Sequence, residues 1–173
     1  MTAIESDFDG RHFRNALGRF PTGMTIVTAL TPDGHPVGLT ANSFNAVSLT
    51  PPLVLWSLSM RTNSLAIYRA AKHYAINVLA ADQSELSSRF GKRAEGLYED
   101  RYAGVTYRGG ADGAPLLEGC CAWFECANRS QYEEGDHVIF VGEVVGCGYA
   151  EREPLAFHAG AYCLTRSLVA EPA

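Results

Sequence analysis

Most of this chain reads as short β-rich runs cut by turn residues, and that punctuation constrains the fold more than any other feature. Met24 to Leu30 carries the β-branched run Thr25-Ile26-Val27-Thr28. Thr31-Pro32-Asp33-Gly34 is turn chemistry leading into a second strand near Val37, so a hairpin is expected. Ser43 to Leu49 alternates small or polar with apolar side chains until Pro51-Pro52 interrupts it, and Leu53 to Leu58 resumes as a buried strand. Tyr74 to Leu79, Cys120 to Cys126, His137 to Val145 and Ala161 to Leu168 complete the expected strands, with a turn through Glu133-Glu134-Gly135-Asp136. Helices are fewer. Phe8, Phe13, Leu17 and Phe20 fall near helical spacing with Arg11, Arg14 and Arg19 between them, predicting an amphipathic helix over 8–20 that Pro21 and Gly23 end. Thr62, Asn63 or Ser64 can cap a helix from Leu65 to Lys72, and Asp82 can cap a short one carrying Leu86, Arg89 and Phe90. Without a regular alternation of strand and long helix, the pattern favours an antiparallel barrel with a few packed helices over a doubly wound parallel sheet.

The 173 residues fit one domain, 1–173, in which the polar, Gly-rich stretch 91–113 is expected to be a mobile or partner-contacting loop. Lys and Arg total 14 against 19 Asp and Glu, a net charge of -5 that lacks the basic excess nucleic-acid binding needs. Apolar runs such as Leu53-Val54-Leu55-Trp56 are far short of a membrane span, and the acidic start carries no signal-peptide pattern, so a cytoplasmic protein is expected. Five cysteines are an odd number for a disulfide framework and are read as reduced thiols. Cys120-Cys121, Cys126 and His137 make a poor metal set, because adjacent strand residues point to opposite faces and the C-x₂-C pairing of zinc sites is missing; no metal is expected. The P-loop, dinucleotide-fold, nucleophile-elbow and zinc-protease patterns are all absent.

A series of segments in order along nearly the whole chain resembles the short-chain flavin reductase family. These include Phe20-Pro21-Thr22-Gly23-Met24-Thr25, the stretch from Gly38 through Ser43-Phe44-Asn45-Ala46-Val47-Ser48 to Pro51-Pro52, and Ile76-Asn77-Val78-Leu79. Ser88-Arg89-Phe90, Pro115-Leu116-Leu117, Gly135-Asp136-His137, Val141-Gly142-Glu143-Val144 and Gly160-Ala161-Tyr162 continue the series. The resemblance implies a mainly β chain with a few helices, folded as a six-stranded Greek-key split β-barrel of the FMN-binding type. It implies a homodimer with FMN or FAD near the dimer interface, NADH or NADPH as hydride donor, and a separate flavin-dependent oxygenase as partner. The sequence departs from the family at Asn45-Ala46, where Ser or Thr is frequent, and at Cys120-Cys121. A split-barrel protein that binds flavin or haem without turnover, or one that keeps its flavin and reduces another acceptor, shares the same pattern.

Hydride transfer between nicotinamide and flavin requires held, stacked rings rather than a catalytic triad. Under the resemblance, Thr40, Ala41, Asn42, Ser43, Val47 and Ser48 offer small side chains and free backbone to a flat ring. Ser57, Ser59, Thr62, Asn63 and Ser64, with Ser88, Arg89 and Phe90, are expected around the phosphate. His137 is expected to position the nicotinamide, with Tyr162 closing the same pocket. Trp56, Phe124 and Tyr132 are expected in the core or an interface.

Overall fold

The computed structural model describes residues 9–92 and 101–168. The N-terminal helix α1 covers Gly10–Leu17, with Asp9 accepting a hydrogen bond from the His12 amide at its start. It is shorter than the expected 8–20, and Phe8 lies outside the described residues. None of its residues is buried: Phe13, Leu17 and, just beyond, Phe20 face outward. The amphipathic pattern is real, but none of its apolar side chains is buried in the core.

Strands and helices then follow as β1 (Thr22–Gly23), β2 (Thr25–Leu30), β3 (Pro36–Ala41), β4 (Asn45–Leu49), β5 (Pro52–Ser59), α2 (Leu65–Ala70), β6 (His73–Val78) and α3 (Ser84–Gly91). The second half is β7 (Tyr107–Gly109), β8 (Pro115–Leu117), β9 (Ala122–Glu134), β10 (His137–Tyr149), β11 (Leu155–His158) and β12 (Ala161–Leu164). The chain is mainly β with few helices. Seven strands form one antiparallel sheet in the order β3-β2-β6-β9-β10-β5-β4, one more than the six the resemblance implies, and its edge strands β3 and β4 are not paired with each other. A smaller sheet, β1-β11-β12, takes the C-terminal strand, which ends at Leu164 rather than at the expected Leu168.

Beta-branched residues explain the centre of the large sheet: β2 is buried on both faces, paired to β3 and β6. In β5 the period of two turns Val54, Trp56 and Leu58 into the core and leaves Ser57 and Ser59 on the other face. Trp56 is fully buried, stacked on Phe140 at 4.7 Å and edge-on to Tyr68 and Tyr74. Phe124 is half-buried against Phe44 at 5.4 Å, whereas Tyr132 faces outward, 55% exposed. The long hairpin β9–β10 passes over Tyr74 at Gly142, where a Cβ would lie 2.4 Å from the tyrosine oxygen, so only glycine admits that approach.

A buried asparagine joins two distant segments. Asn77 Nδ2 donates to Ile26 and Pro115 carbonyls while its Oδ1 accepts from the Leu117 amide, and Thr28 Oγ1 donates to the same Pro115 oxygen at 2.6 Å. With every polar atom of its amide engaged at zero exposure, Asn77 fixes β8 against β2 and β6 instead of costing stability.

One local expectation gives way to a longer-range contact. Asp82 does not cap α3; it pairs with Arg152 at 2.6 Å, and Gln83 stands at the N-cap position. Within 91–113, residues 93–100 lie outside the described ones, while β7 pairs with β8 and Arg108 lies over the Trp123 ring at 4.6 Å. All five cysteines are free, and burial pushes the Cys120 and Cys126 thiols up to about 12. Among the described residues no helix is long and apolar enough to cross a membrane, and no three His, Cys, Asp or Glu side chains gather as a metal would require.

Candidate active site

A cleft of about 840 Å³ opens between β3 and the end of β5, with the C-terminal end of α3 behind it. That volume lies in the range of small-molecule and cofactor sites.

The β3 side is built by residues bound to one another. Gly38 lets the Phe90 ring approach to where a Cβ would stand only 2.6 Å away, and Phe90 meets Tyr102 edge-on at 5.1 Å. Tyr102 donates to the Val37 carbonyl at 2.9 Å, and burial pushes its phenol well above the ordinary range. Arg101 donates to the Phe90 carbonyl at 2.8 Å and to those of Gly38 and Lys92, placing a cation on the carbonyl end of α3. Thr40 Oγ1 donates to the Ser87 carbonyl at 2.6 Å.

Where β3 runs out, Ser43 takes over from backbone pairing. Its hydroxyl accepts from the Ser57 amide at 2.9 Å and donates to the Ser57 carbonyl at 3.1 Å, in the register that pairs Asn45 with Leu55. The connection between β3 and β4 is thereby clasped to β5, closing the floor of the cleft.

The opposite side is different. Ser59, Arg61, Thr62, Asn63 and Ser64 follow β5 into α2, and Ser64 makes no side-chain cap bond to that helix. His137 enters from the start of β10, where it pairs with Ser59. Its Nδ1 stands 2.6 Å from Asp136 Oδ1, which leaves Nε2 for other partners. The hydrogen bond from His137, then its charge, holds the Asp136 carboxyl below its usual range, and Arg61 adds a smaller pull in the same direction.

The structure thus gathers Thr40, Ala41, Asn42, Ser43, Ser57, Ser59, Thr62, Asn63, Ser64, Phe90 and His137 around one cleft. Val47 and Ser48 lie outside it, farther along the exposed strand β4. Ser88, Arg89 and Tyr162 also lie outside it, in a smaller recess on the flank of α3. There Tyr162 reaches Ser87 and Ser88 with its hydroxyl, while Arg89 donates to the Ala103 carbonyl at 2.8 Å. Sequence reasoning missed Arg61, Lys92, Arg101 and Tyr102. The first sits beside the Thr62-Asn63-Ser64 run and was within reach of a local reading; the other three flank or lie within the stretch expected to be mobile.

The family model "Flavin reductase like domain" matches residues 17–166. The chain is 44% identical over 154 residues to FMN reductase (NADH) SmoA of Agrobacterium fabrum, covering 89% of this chain and 85% of that one. It is 38% identical over 152 residues to the reductase component of the flavin-dependent trigonelline monooxygenase of Acinetobacter baylyi, spanning 88% of this chain but only 48% of that relative. Among solved structures, the NADH:FAD oxidoreductase SgcE6 of Streptomyces globisporus, in complex with NAD and FAD fragments, is 34% identical with a TM-score of 0.86. The match covers 98% of this chain and 100% of that one.

Proposed function

This chain belongs to the flavin reductase-like domain family, and from that premise we propose that it is an NAD(P)H:flavin oxidoreductase whose flavin, FMN or FAD, occupies the cleft between β3 and β5. The observation that carries the reading is the asymmetry of that cleft. One side has the side chains of Thr40, Ser43, Arg101 and Tyr102 engaged within the protein, while the other presents those of Arg61, Thr62, Asn63 and Ser64, none of which makes a side-chain hydrogen bond among the described residues.

These residues fit a flavin nucleotide. Ala41, Asn42 and Ser43 are small enough to let a flat ring approach the main chain, with Ser43 holding the floor rather than spending its hydroxyl on the ring. The hydroxyls of Ser59, Thr62 and Ser64 and the Arg61 guanidinium suit a phosphate. Hydride transfer itself is the chemistry of the bound cofactors. His137, with Nδ1 tied to Asp136, offers Nε2 at the rim to a nicotinamide carboxamide.

The seven-stranded antiparallel sheet with its Ser43 clasp is read as the Greek-key split barrel of the FMN-binding type. A homodimer is proposed as well, supported by the apolar side chains left outside the core, with Leu49 91% exposed, Tyr149 87% and Phe20 71%. A separate flavin-dependent oxygenase is the proposed consumer of the reduced flavin, in keeping with the naming of the Acinetobacter relative.

The test is NADH oxidation by the purified protein with and without added FMN or FAD. Turnover that requires added flavin supports the reductase reading. Flavin binding without NADH oxidation would assign a carrier role instead, and activity independent of added flavin with a retained yellow chromophore would assign a fixed prosthetic group. Sedimentation of a monomer at micromolar concentration with full activity would remove the dimer.

A further inference from the structure

The chain has two tryptophans, and the fold puts them in opposite settings. Trp56 belongs to the buried cluster that also holds Val37, Ala41 and Leu58, with Leu39 packed against it. Each of those aliphatic residues also lines the cleft, so the cluster around the indole and the cleft share a wall. Trp123 packs instead against the cluster of Ala75, Ala114 and Leu116, none of which lines the cleft, and the Arg108 guanidinium lies over its ring at 4.6 Å.

The two settings treat a positive charge on the indole differently. An aromatic face attracts a cation, so the Phe140 ring stacked at 4.7 Å favours a positive charge on Trp56. At Trp123 the guanidinium already holds that place, and a second positive charge beside it is opposed. Around Trp56 there is also nothing to take a proton. Its Nε1 makes no hydrogen bond among the described residues, nor does the Tyr74 hydroxyl edge-on to it, and Tyr68 donates to the Val27 carbonyl. Burial pushes the phenols of Tyr68, Tyr74 and the cleft-lining Tyr102 above their ordinary range, so each keeps its proton.

We infer that Trp56 is a reversible one-electron donor to the light-excited flavin of the cleft and thereby keeps the bound flavin dark, an assignment that rests on the flavin reading of the cleft. The excited oxidised flavin takes one electron from the indole, which leaves a flavin radical anion and an indole radical cation with no bond made or broken. The Nε1 proton stays where it is, because no base stands beside it. The charge stays too, since a tyrosine would have to lose its proton to accept it. The electron therefore returns to the indole, and both partners are restored. A reductase gains from this, because its flavin is then reduced by nicotinamide and not by light.

The probe is FMN, whose binding is first established by calorimetry and whose fluorescence lifetime is then measured on the protein without nicotinamide. In the wild type the lifetime is expected to fall about tenfold below that of free FMN, a change set by the protein around the cofactor. Trp56→Phe should return it toward the free value, and Trp123→Phe should leave it as in the wild type. If Trp56→Phe does not fold, transient absorption of the wild type decides. An indole radical cation that rises as the excited flavin decays, and disappears as ground-state flavin recovers, supports the assignment. A tyrosyl radical, a deprotonated indole radical or long-lived reduced flavin overturns it. So does an unchanged lifetime in Trp56→Phe, or quenching lost in Trp123→Phe instead. Bound FMN with the lifetime of free FMN removes this assignment alone, whereas FMN that does not bind removes the cleft reading and this assignment together.

Discussion

The two sides of the cleft are made of similar residues put to opposite uses. On the β3 side, Thr40, Arg101 and Tyr102 each bond to a backbone carbonyl, and Phe90 packs into the space that Gly38 leaves. On the β5 side, Thr62, Asn63 and Ser64 hold equivalent groups that bond to nothing else in the described chain. A threonine hydroxyl at a site is therefore no evidence of ligand contact until its own partner is known. The committed side sets the shape of the cleft, and the uncommitted side supplies its chemistry. Substitutions on the first should cost stability, and those on the second should cost binding with the fold intact.

The largest effect belongs to Gly38→Ala. Its new Cβ would stand 2.6 Å from Phe90 Cε1 and 2.9 Å from the Tyr102 oxygen, with a packed ring rather than a flexible chain end to displace. Overpacking of this kind costs about 1–3 kcal/mol, a fall in melting temperature of roughly 3–10 °C for a chain of this size. Thermal unfolding checks it, and FMN affinity should fall as well because Phe90 carries the back of the cleft. An unchanged melting temperature would mean that the β3 side is not the rigid one.

Arg101→Met comes next. It keeps much of the side-chain length but strips the Phe90 and Lys92 carbonyls at the end of α3 of their charged donor, at a cost of about 1–2 kcal/mol. Denaturant unfolding should record the loss. Thr40→Val should cost about 1 kcal/mol of stability through its bond to Ser87, while FMN binds within about twofold of wild type. The reverse, full stability with a large loss of FMN affinity, would move Thr40 to the ligand-facing group. Ser64→Ala should show that reverse pattern in earnest: stability within about 0.5 kcal/mol of wild type, and FMN binding weaker by about 1 kcal/mol, near fivefold.

How far the sequence revealed this depends on the distance over which each feature is decided. Period-two alternation in Leu53 to Leu58 is local, and it correctly turns Trp56 inward with Ser57 and Ser59 opposite. Asn77 and the Pro115-Leu116-Leu117 run were both legible as family segments, but their meeting through the Asn77 amide is a tertiary fact with no local trace. Tyr162 shows the cost of that gap. Placed beside His137 by the order of motifs, it instead rides on β12 in the small sheet and lands on α3, because β12 pairs with β11 and not with the large sheet. Asp82 fails for a related reason: a carboxylate that suits a cap also suits Arg152, and the charged partner wins. The apolar stripe of α1 is legible, while nothing local says that Phe13 and Leu17 stay outside the core.

The smallest effect on stability is expected at the rim, from the pair Asp136 and His137. Asp136 is held below the usual carboxylate range in the folded chain, mainly by the hydrogen bond from His137. A group depressed on folding stabilises the native state above its unfolded pKa and loses that contribution as pH falls through its folded value. Asp136 is fully exposed, so solvent screens the pair and the contribution is small. Wild type should therefore melt slightly above Asp136→Asn at pH 7, and the gap should close on acidification through the carboxylate range. A gap that stays constant or widens as pH falls would mean that the pair does not work this way. The larger consequence is for the ligand. Without the carboxylate, the His137 ring loses the bond that fixes its orientation at the cleft mouth, and Nε2 no longer has one direction. Asp136→Asn should then raise the KM for NADH more than it lowers the melting temperature, placing the pair with Ser64 on the ligand-facing side. Wild-type kinetics in that variant, beside a measurable loss of stability at pH 7, would put the pair with Thr40 among the residues that merely hold the cleft's shape.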